Sequence, residues 1–200
     1  DDKILTSWSS WAIIALARAG YALQEKRYTE AALKCHTFID TFLTSDDVLF
    51  HRYRDGEAAY PGQLDDYAVY SLALTELYKT SYSPEYLRRA ACLARKMTEL
   101  FQDEGGGLCM TARDGEKLIM RPKETYDGAI PSGNSVAGMV LSKLSCLTGD
   151  TFFTDAAHRQ LKFLAGAAYD YPAGFTFALS AMLPFVYPRK DLVCVSSENA

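Results

Sequence analysis

The chain has no apolar run approaching the roughly 20 residues that a bilayer-spanning helix needs, and its opening DDKILTSWSS lacks the form of a signal peptide. Membrane association is therefore not expected, and the cytoplasm is the expected compartment. Basic charge is not in surplus. Lys and Arg number 21 against 25 Asp and Glu, a net charge of −4, which gives no support to a nucleic-acid partner. The five cysteines (Cys35, Cys92, Cys109, Cys146, Cys194) form no CxxC and no Cys/His cluster, so no metal site is expected. Cys35, Cys92 and Cys146 fall in helical patterns, where a small buried thiol is the ordinary reading, and free thiols fit a reducing cytosol. Also missing are a GxSxG elbow, a Cys–His–Asn set and a GxxxxGK[ST] phosphate loop. No cofactor is expected. The three histidines, His36, His51 and His158, have no partner at ligand spacing and receive no catalytic role.

Hydrophobic residues make up 48% of the 200, enough to bury a sizeable core in one domain spanning 1–200. A repeat organises them. In LARAGYALQEKRYTEAA, LTELYKTSYSPEYLRRA and LSKLSCLTGDTFFTDAA, a leucine precedes an aromatic by twelve positions: Leu16/Tyr28, Leu74/Tyr86 and Leu141/Phe153. An alanine follows four positions later, at Ala32, Ala90 and Ala157. The leucine is expected to close a first helix, the aromatic to open a second, and the alanine to let the two approach. Ser83-Pro84 is a good helix start and Thr148-Gly149-Asp150 a good break. The unit is a helical hairpin.

The connectors repeat as well. RDGE stands at 54–57 and again at 113–116, each time beside short alternating runs, VLFHRY for the first and LCMTA and KLIM for the second. Asp-Gly between such runs predicts a two-residue β-hairpin in each long connection. A further helix is expected near 172–185. The resulting fold class is all-α: repeated antiparallel helical hairpins in a partial α/α toroid, with short β-hairpins in the long loops. A straight solenoid fits the repeat almost as well; the β-bearing loops favour the toroid, whose loops gather at one mouth.

Those loops hold the candidate residues. Trp8 lies near the start of the first helix, where a tryptophan face suits either a sugar ring or the core. LDDYA places Asp65 and Asp66 at a helix start. Neighbours on a helix do not face each other, so at most one enters a pocket while the other caps. Asp65 is expected to cap and Asp66 to act as general acid or base. RPKETYDGAIPSGNS clusters Arg121, Lys123, Glu124, Asp127, Ser132 and Asn134 ahead of the third hairpin. Its helix start offers free N–H groups, and its glycines allow close approach. An ordered capping loop, held by its own hydrogen bonds, is the competing reading. The 61–67 and 121–135 loops are expected to meet on one face. Asp127 would then lie within about 10 Å of Asp65 or Asp66, as in a two-carboxylate glycosidase.

DDKILTSW, LDDYA, GGG at 105–107, RPKE and DGAIPSGNS together resemble the spermatogenesis-associated, thioredoxin-domain family, whose bacterial members are YyaL-like proteins. The resemblance covers essentially residues 1–195. It implies a thioredoxin-like N-terminal domain followed by a six-hairpin, glycosidase-like α/α toroid, similar in fold to N-acylglucosamine 2-epimerases and unsaturated glucuronyl hydrolases. This chain opens inside that toroid, so the thioredoxin-like domain and first hairpins are expected to be absent. DLVCVSSENA looks like the family's late strand cut short. Ser9 and Ser10 stand where the family tends to have Asn-Gly. The lone histidines do not match the epimerases' catalytic pair, which disfavours isomerisation.

The leading expectation is a carbohydrate-binding or glycosidase-like domain. Asp65 or Asp66 would be the acid/base and Asp127 the second carboxylate. Trp8, Tyr67, Arg121, Lys123, Glu124, Ser132 and Asn134 would hold a sugar-like small molecule. The alternative is a non-catalytic module that accompanies a redox domain. Half a ring leaves two apolar flanks, at Ile4–Leu16 and Phe175–Phe185, so self-association is expected.

Overall fold

The computed structural model describes residues 2–46, 48–115 and 119–187. Three helical hairpins follow one another: α1 (Thr6–Leu23) with α2 (Lys26–Phe42), α3 (Leu64–Ser81) with α4 (Pro84–Phe101), and α5 (Gly133–Thr148) with α6 (Thr151–Ala168). A 3₁₀ turn at Pro172–Phe175 leads into α7 (Thr176–Val186). Helix α1 packs on α3, α3 on α5 and α5 on α7, while α2, α4 and α6 each back their own partner. The result is a partial α/α toroid with an inner row of four helices and an outer row of three.

The repeat explains the packing. Ala32, Ala90 and Ala157 are fully buried, at the level where each outer helix presses on its inner partner. Tyr28, Tyr86 and Phe153 each stand in the first turn of an outer helix. The leucines do not end the inner helices. Each helix runs roughly two turns further, to Leu23, Ser81 and Thr148. Helix α3 has neighbours on three sides, and every residue from Asp66 to Leu77 is buried. Helix α4 instead buries one stripe (Ala90, Leu93, Ala94, Met97, Phe101), as an outer helix should.

One polar cluster ties the inner row together. Glu76 of α3 accepts hydrogen bonds from Arg18 of α1 (3.1 and 3.2 Å) and from Lys143 of α5, with Lys79 nearby. Burial alone would raise the Glu76 carboxyl. The hydrogen bonds and charges of Arg18, Lys143 and Lys79 overcome it and hold the pKa down at about 2.

The first connection carries the expected hairpin. Strand β3 (Val48–Arg54) pairs antiparallel with β4 (Glu57–Pro61), and also with the short β1 (Ile4–Leu5) and β2 (Thr44–Ser45). Asp55 and Gly56 both have positive φ, 52° and 83°, as a two-residue type I′ turn requires. The second RDGE does not follow suit among the described residues. Thr111–Gly115 is turn and bend, and residues 116–118, with part of the KLIM run, lie outside them. Its backbone bonds go elsewhere: Met110 N–H to Pro122 O, Leu64 N–H to Met110 O, and Arg113 N–H to Leu100 O. Those groups are taken by α4, by α3 and by the following segment, and no sister strand is present among the described residues. The late DLVCVSSENA segment, with Cys194, also lies outside the described residues.

The two expected flanks differ. On the first, Ile13 and Ile14 are buried and Trp11 meets Phe177 of α7 edge-to-face at 6.2 Å, leaving Trp8 as the large exposed ring. On the second, Leu179, Leu183, Phe185 and Val186 are exposed along α7. The expectation of self-association therefore narrows to that face of α7. Sedimentation at micromolar concentration tests it. A species heavier than the 22.2 kDa monomer is expected, with Leu183→Glu restoring the monomer.

Candidate functional site

The inner helices α1, α3, α5 and α7 bring their N-termini to one mouth, and three aspartates bind them. Helix N-termini carry unpaired N–H groups and partial positive charge, so carboxylates settle there. Asp66, 0% exposed, accepts the Ser7 N–H of α1 at Oδ1 (3.1 Å) and the Gln63 N–H at Oδ2 (2.9 Å). Gln63 is the N-cap of α3, and its side chain returns the bond in a capping box. Asp127 accepts the Ser132 N–H at the start of α5 (3.0 Å) and the Phe177 and Ala178 N–H groups of α7 (2.9 and 3.2 Å). Asp65 sits against the first residue of α5 and accepts from the Gly133 amide. A Cβ on Gly133 would fall 2.1 Å from Asp65 Oδ1, so only glycine leaves room for the carboxylate.

The 61–67 and 121–135 segments thus meet on one face. Asp65 and Asp127 bind consecutive amides, those of Gly133 and Ser132. The two neighbouring aspartates have, however, exchanged their expected roles. Asp66 is the cap and Asp65 is the carboxylate left half-buried at the mouth. The physical reason is register: the N-cap is Gln63, and the position three residues on, which closes the box, is Asp66.

Asp65 has an unusual electrostatic setting. Burial is the largest effect, and the charges of Asp66 and Glu124 add to it, so its pKa is pushed up to about 6 against the pull of His51 and the Gly133 amide. Glu124 is exposed on the neighbouring loop. Trp8, on the first turns of α1, is 64% exposed. These three remain available to a ligand.

The other sequence candidates are committed to the protein itself. Tyr67 is buried in the core, its hydroxyl accepting the Leu49 N–H and its ring edge-on to Phe101. Arg121 donates to the carbonyls of Thr111 and Leu100. Lys123 donates to Asp103 Oδ2 (2.6 Å) and Gly106 O (2.7 Å) and lies over the Phe163 ring. Ser132 is the N-cap of α5, accepting the Ser135 N–H. Asn134, fully buried, accepts from the Leu108 N–H and Gln160 Nε2, and donates to the Leu108 and Glu124 carbonyls. Buried loop backbone needs partners, and these polar side chains supply them. The GGG motif is structural too: Gly106 and Gly107 have φ of 85° and 72°, and a Cβ on Gly107 would meet the Phe163 ring at 2.4 Å.

One histidine set aside for want of a partner at ligand spacing has a partner in the fold. His51, on β3, pairs through Nδ1 with Asp66 Oδ2 at 2.8 Å and is 32% exposed. The signal missed is strand alternation, which puts Leu49, His51 and Tyr53 on one face of the hairpin wing. Among the described residues, no three His, Cys, Asp or Glu side chains form a metal-holding group, and no helix is long and apolar enough to cross a membrane. Cys35, Cys109 and Cys146 are free thiols.

The chain is homologous to a segment of spermatogenesis-associated protein 20. It is 34% identical to the rat protein over 170 residues, which are 78% of this chain and 21% of that one. An uncharacterised protein of Caenorhabditis elegans is 34% identical over 152 residues, 72% of this chain and 21% of its own length. The chain thus spans about a fifth of these relatives. No protein-family model matches it. In fold it is similar to a glycoside hydrolase family 76 α-mannanase of Bacteroides thetaiotaomicron, with a TM-score of 0.71 at 16% identity over 90% of this chain and 52% of that one. Cellobiose 2-epimerase of Bacillus thermoamylovorans gives a TM-score of 0.66 at 16% identity, covering 81% and 44%. An α-1,6-mannanase of Salegentibacter, an inactive variant with two consecutive aspartates changed to asparagine and α-1,6-mannotriose bound, gives 0.62 at 16% identity, covering 80% and 46%. These likenesses establish the glycosidase-like α/α-toroid fold.

The two adjacent aspartates should separate cleanly by stability. Asp66→Asn breaks a buried, fully bonded carboxylate and is expected to cost about 3 kcal/mol. Asp65 is the reverse case. Its folded pKa of about 6 exceeds the reference 3.8, so the folded state favours the protonated form and loses stability as pH rises between those values. Asp65→Asn should leave stability unchanged near pH 3 and raise it above pH 6. Urea denaturation of both variants across that range is the check.

Proposed function

We propose that this domain binds and processes carbohydrate at the mouth formed by the N-termini of α1, α3, α5 and α7, with glycoside hydrolysis as the reaction class. The observation that carries the reading is Asp65. It is a carboxyl with a pKa of about 6, held beside Glu124 and left half-buried at the mouth. A group that titrates there can exchange a proton in either direction near neutrality, as a glycosidase acid/base must. The inactive mannanase variant supports the reading, since two consecutive aspartates were altered in it, as Asp65 and Asp66 are consecutive here. In this chain the pair divides the work, Asp66 holding backbone and Asp65 meeting ligand. Glu124 is the second carboxylate, and Trp8 offers its face to a sugar ring.

A non-catalytic module beside a redox domain, in a cytosolic protein, is the second reading. It is favoured by the commitment of Asp127, Arg121, Lys123, Ser132 and Asn134 to backbone, which is how an ordered loop with no ligand would look. Calorimetric titration of the full chain with α-1,6-mannotriose and with cellobiose distinguishes the two. Binding of either sugar, weakened about tenfold by Trp8→Ala through loss of a stacking contact worth about 1.4 kcal/mol, is expected. No heat from either sugar at millimolar concentration would favour the module.

A further inference from the structure

The inner helices that start together also end together. Helix α1 stops at Leu23, α3 at Ser81 and α5 at Thr148, at the end of the row opposite the mouth. An open cavity of about 580 Å³ lies there, between Tyr21 of α1, Tyr78 and Lys79 of α3, and Leu147 of α5. That is the size of a small-molecule pocket. Two features of its wall exceed what the fold requires.

The first is charge. Arg18, Lys79 and Lys143 surround the single carboxylate of Glu76, which leaves a surplus of two positive charges. Arg18 and Lys143 hydrogen-bond the carboxylate directly, whereas Lys79 stands off at 3.7 Å and adds less than either to holding it ionised. The Arg18 and Lys79 side chains are 59% and 54% exposed, so their charge faces solvent. Basic groups near helix C-termini often serve the last carbonyls. Here local groups serve them instead. The Tyr82 N–H and Gln24 Nε2 donate to the carbonyls of Tyr78 and Tyr21, both at 2.7 Å, and the Ser81 and Thr148 hydroxyls donate to those of Leu77 and Leu144. Among the described residues no acid other than Glu76 lines the cavity.

The second is the aromatic wall. Tyr21, Tyr78 and Tyr82 line the same cavity, and Tyr82 meets Tyr78 edge-to-face at 6.4 Å. Tyr82 follows the last residue of α3 with a φ of 54°, a left-handed position that favours glycine because a Cβ strains it. Its ring is 75% exposed, so burial does not offset that strain. A strained aromatic held at the surface marks a place of contact.

We propose that this cavity binds a small molecule carrying an aromatic ring and a phosphate monoester, as a nucleoside monophosphate does. Tyr82 and Tyr21 offer faces on which a ring stacks, and Arg18 and Lys79 take the phosphate. A phosphate monoester carries about −1.5 to −2 charges at neutral pH, which matches the surplus of two, whereas a carboxylate neutralises half of it. The site is separate from the mouth and does not depend on the chemistry there.

Calorimetric titration of the full chain with AMP and with phenyl phosphate is the test. Adenosine supplies a ring without the charge, and inorganic phosphate the charge without a ring. AMP or phenyl phosphate should bind at least tenfold tighter than either of these, and the tighter of the two tells a nucleotide from a simple aryl phosphate. Tyr82→Gly removes the ring and relaxes the backbone. It should weaken binding about tenfold or more while the melting temperature does not fall. Lys79→Gln keeps Arg18 and Lys143 on Glu76 and should weaken the phosphate-bearing probe about tenfold without affecting adenosine. In amide spectra the probe should shift Tyr21, Tyr78 and Tyr82 and leave Ser7 and Gly133 at the mouth in place. No binding at millimolar concentration, adenosine equal to AMP, full affinity in Tyr82→Gly, or shifts confined to the mouth would each overturn the site.

Discussion

The fold depends on one electrostatic constraint: four helices start at the same place. Each brings unpaired N–H groups and a partial positive charge of about +0.5 to the mouth. Left alone, those ends would repel one another and expose unsatisfied donors. Asp66 joins α1 to α3 by taking the Ser7 and Gln63 amides, and Asp127 joins α5 to α7 by taking those of Ser132, Phe177 and Ala178. Asp65 joins α3 to α5 through Gly133. The bonds to Gln63 and Ser132 are local caps, but the same carboxylates also reach the amides of Ser7, Phe177 and Ala178 on other helices. Those longer bonds are tertiary contacts that set the spacing between inner helices, so the caps and the ring are one feature.

The helices themselves were legible because their signals are local. A leucine, an aromatic and an alanine at fixed spacing mark the interface between an inner and an outer helix wherever they occur, and Ala32, Ala90 and Ala157 are all buried there. The first β-hairpin was legible for the same reason, since Asp55-Gly56 needs only its own φ angles. The second Asp-Gly carried the same local signal, yet no strand beside it appears among the described residues. The backbone around it bonds to α4, to α3 and to the Pro122 segment, and no local rule anticipates that.

The site was legible in place but not in detail. Two loops rich in Asp, Gly and Ser were rightly located on one face. Which of their side chains face outward depends on how many buried backbone groups need partners, and a sequence does not count those. Asn134 illustrates it. A helix-start asparagine looks like a ligand donor, yet it joins Leu108, Glu124 and Gln160 and has no valence left. His51 illustrates the converse. Its partner lies fifteen positions along the chain, across a hairpin wing, and no ligand spacing reveals it.

Two acids on one helix show how structure and chemistry part company. Glu76 and Asp65 both lie on α3, and burial raises the pKa of each. Around Glu76 the chain places Arg18, Lys79 and Lys143, and the pKa falls to about 2. That carboxylate is permanently charged, and it holds three inner helices together. Around Asp65 the chain places Asp66 and Glu124, against the pull of His51 and the Gly133 amide, and the pKa rises to about 6. A fold selected for stability alone would have given Asp65 a cation or replaced it, since an under-compensated buried carboxylate weakens the folded state. Keeping it uncompensated costs stability at neutral pH and yields a proton that moves near neutrality. That trade is typical of functional sites. The same helix therefore carries a compensated charge at Glu76 and an under-compensated one at Asp65.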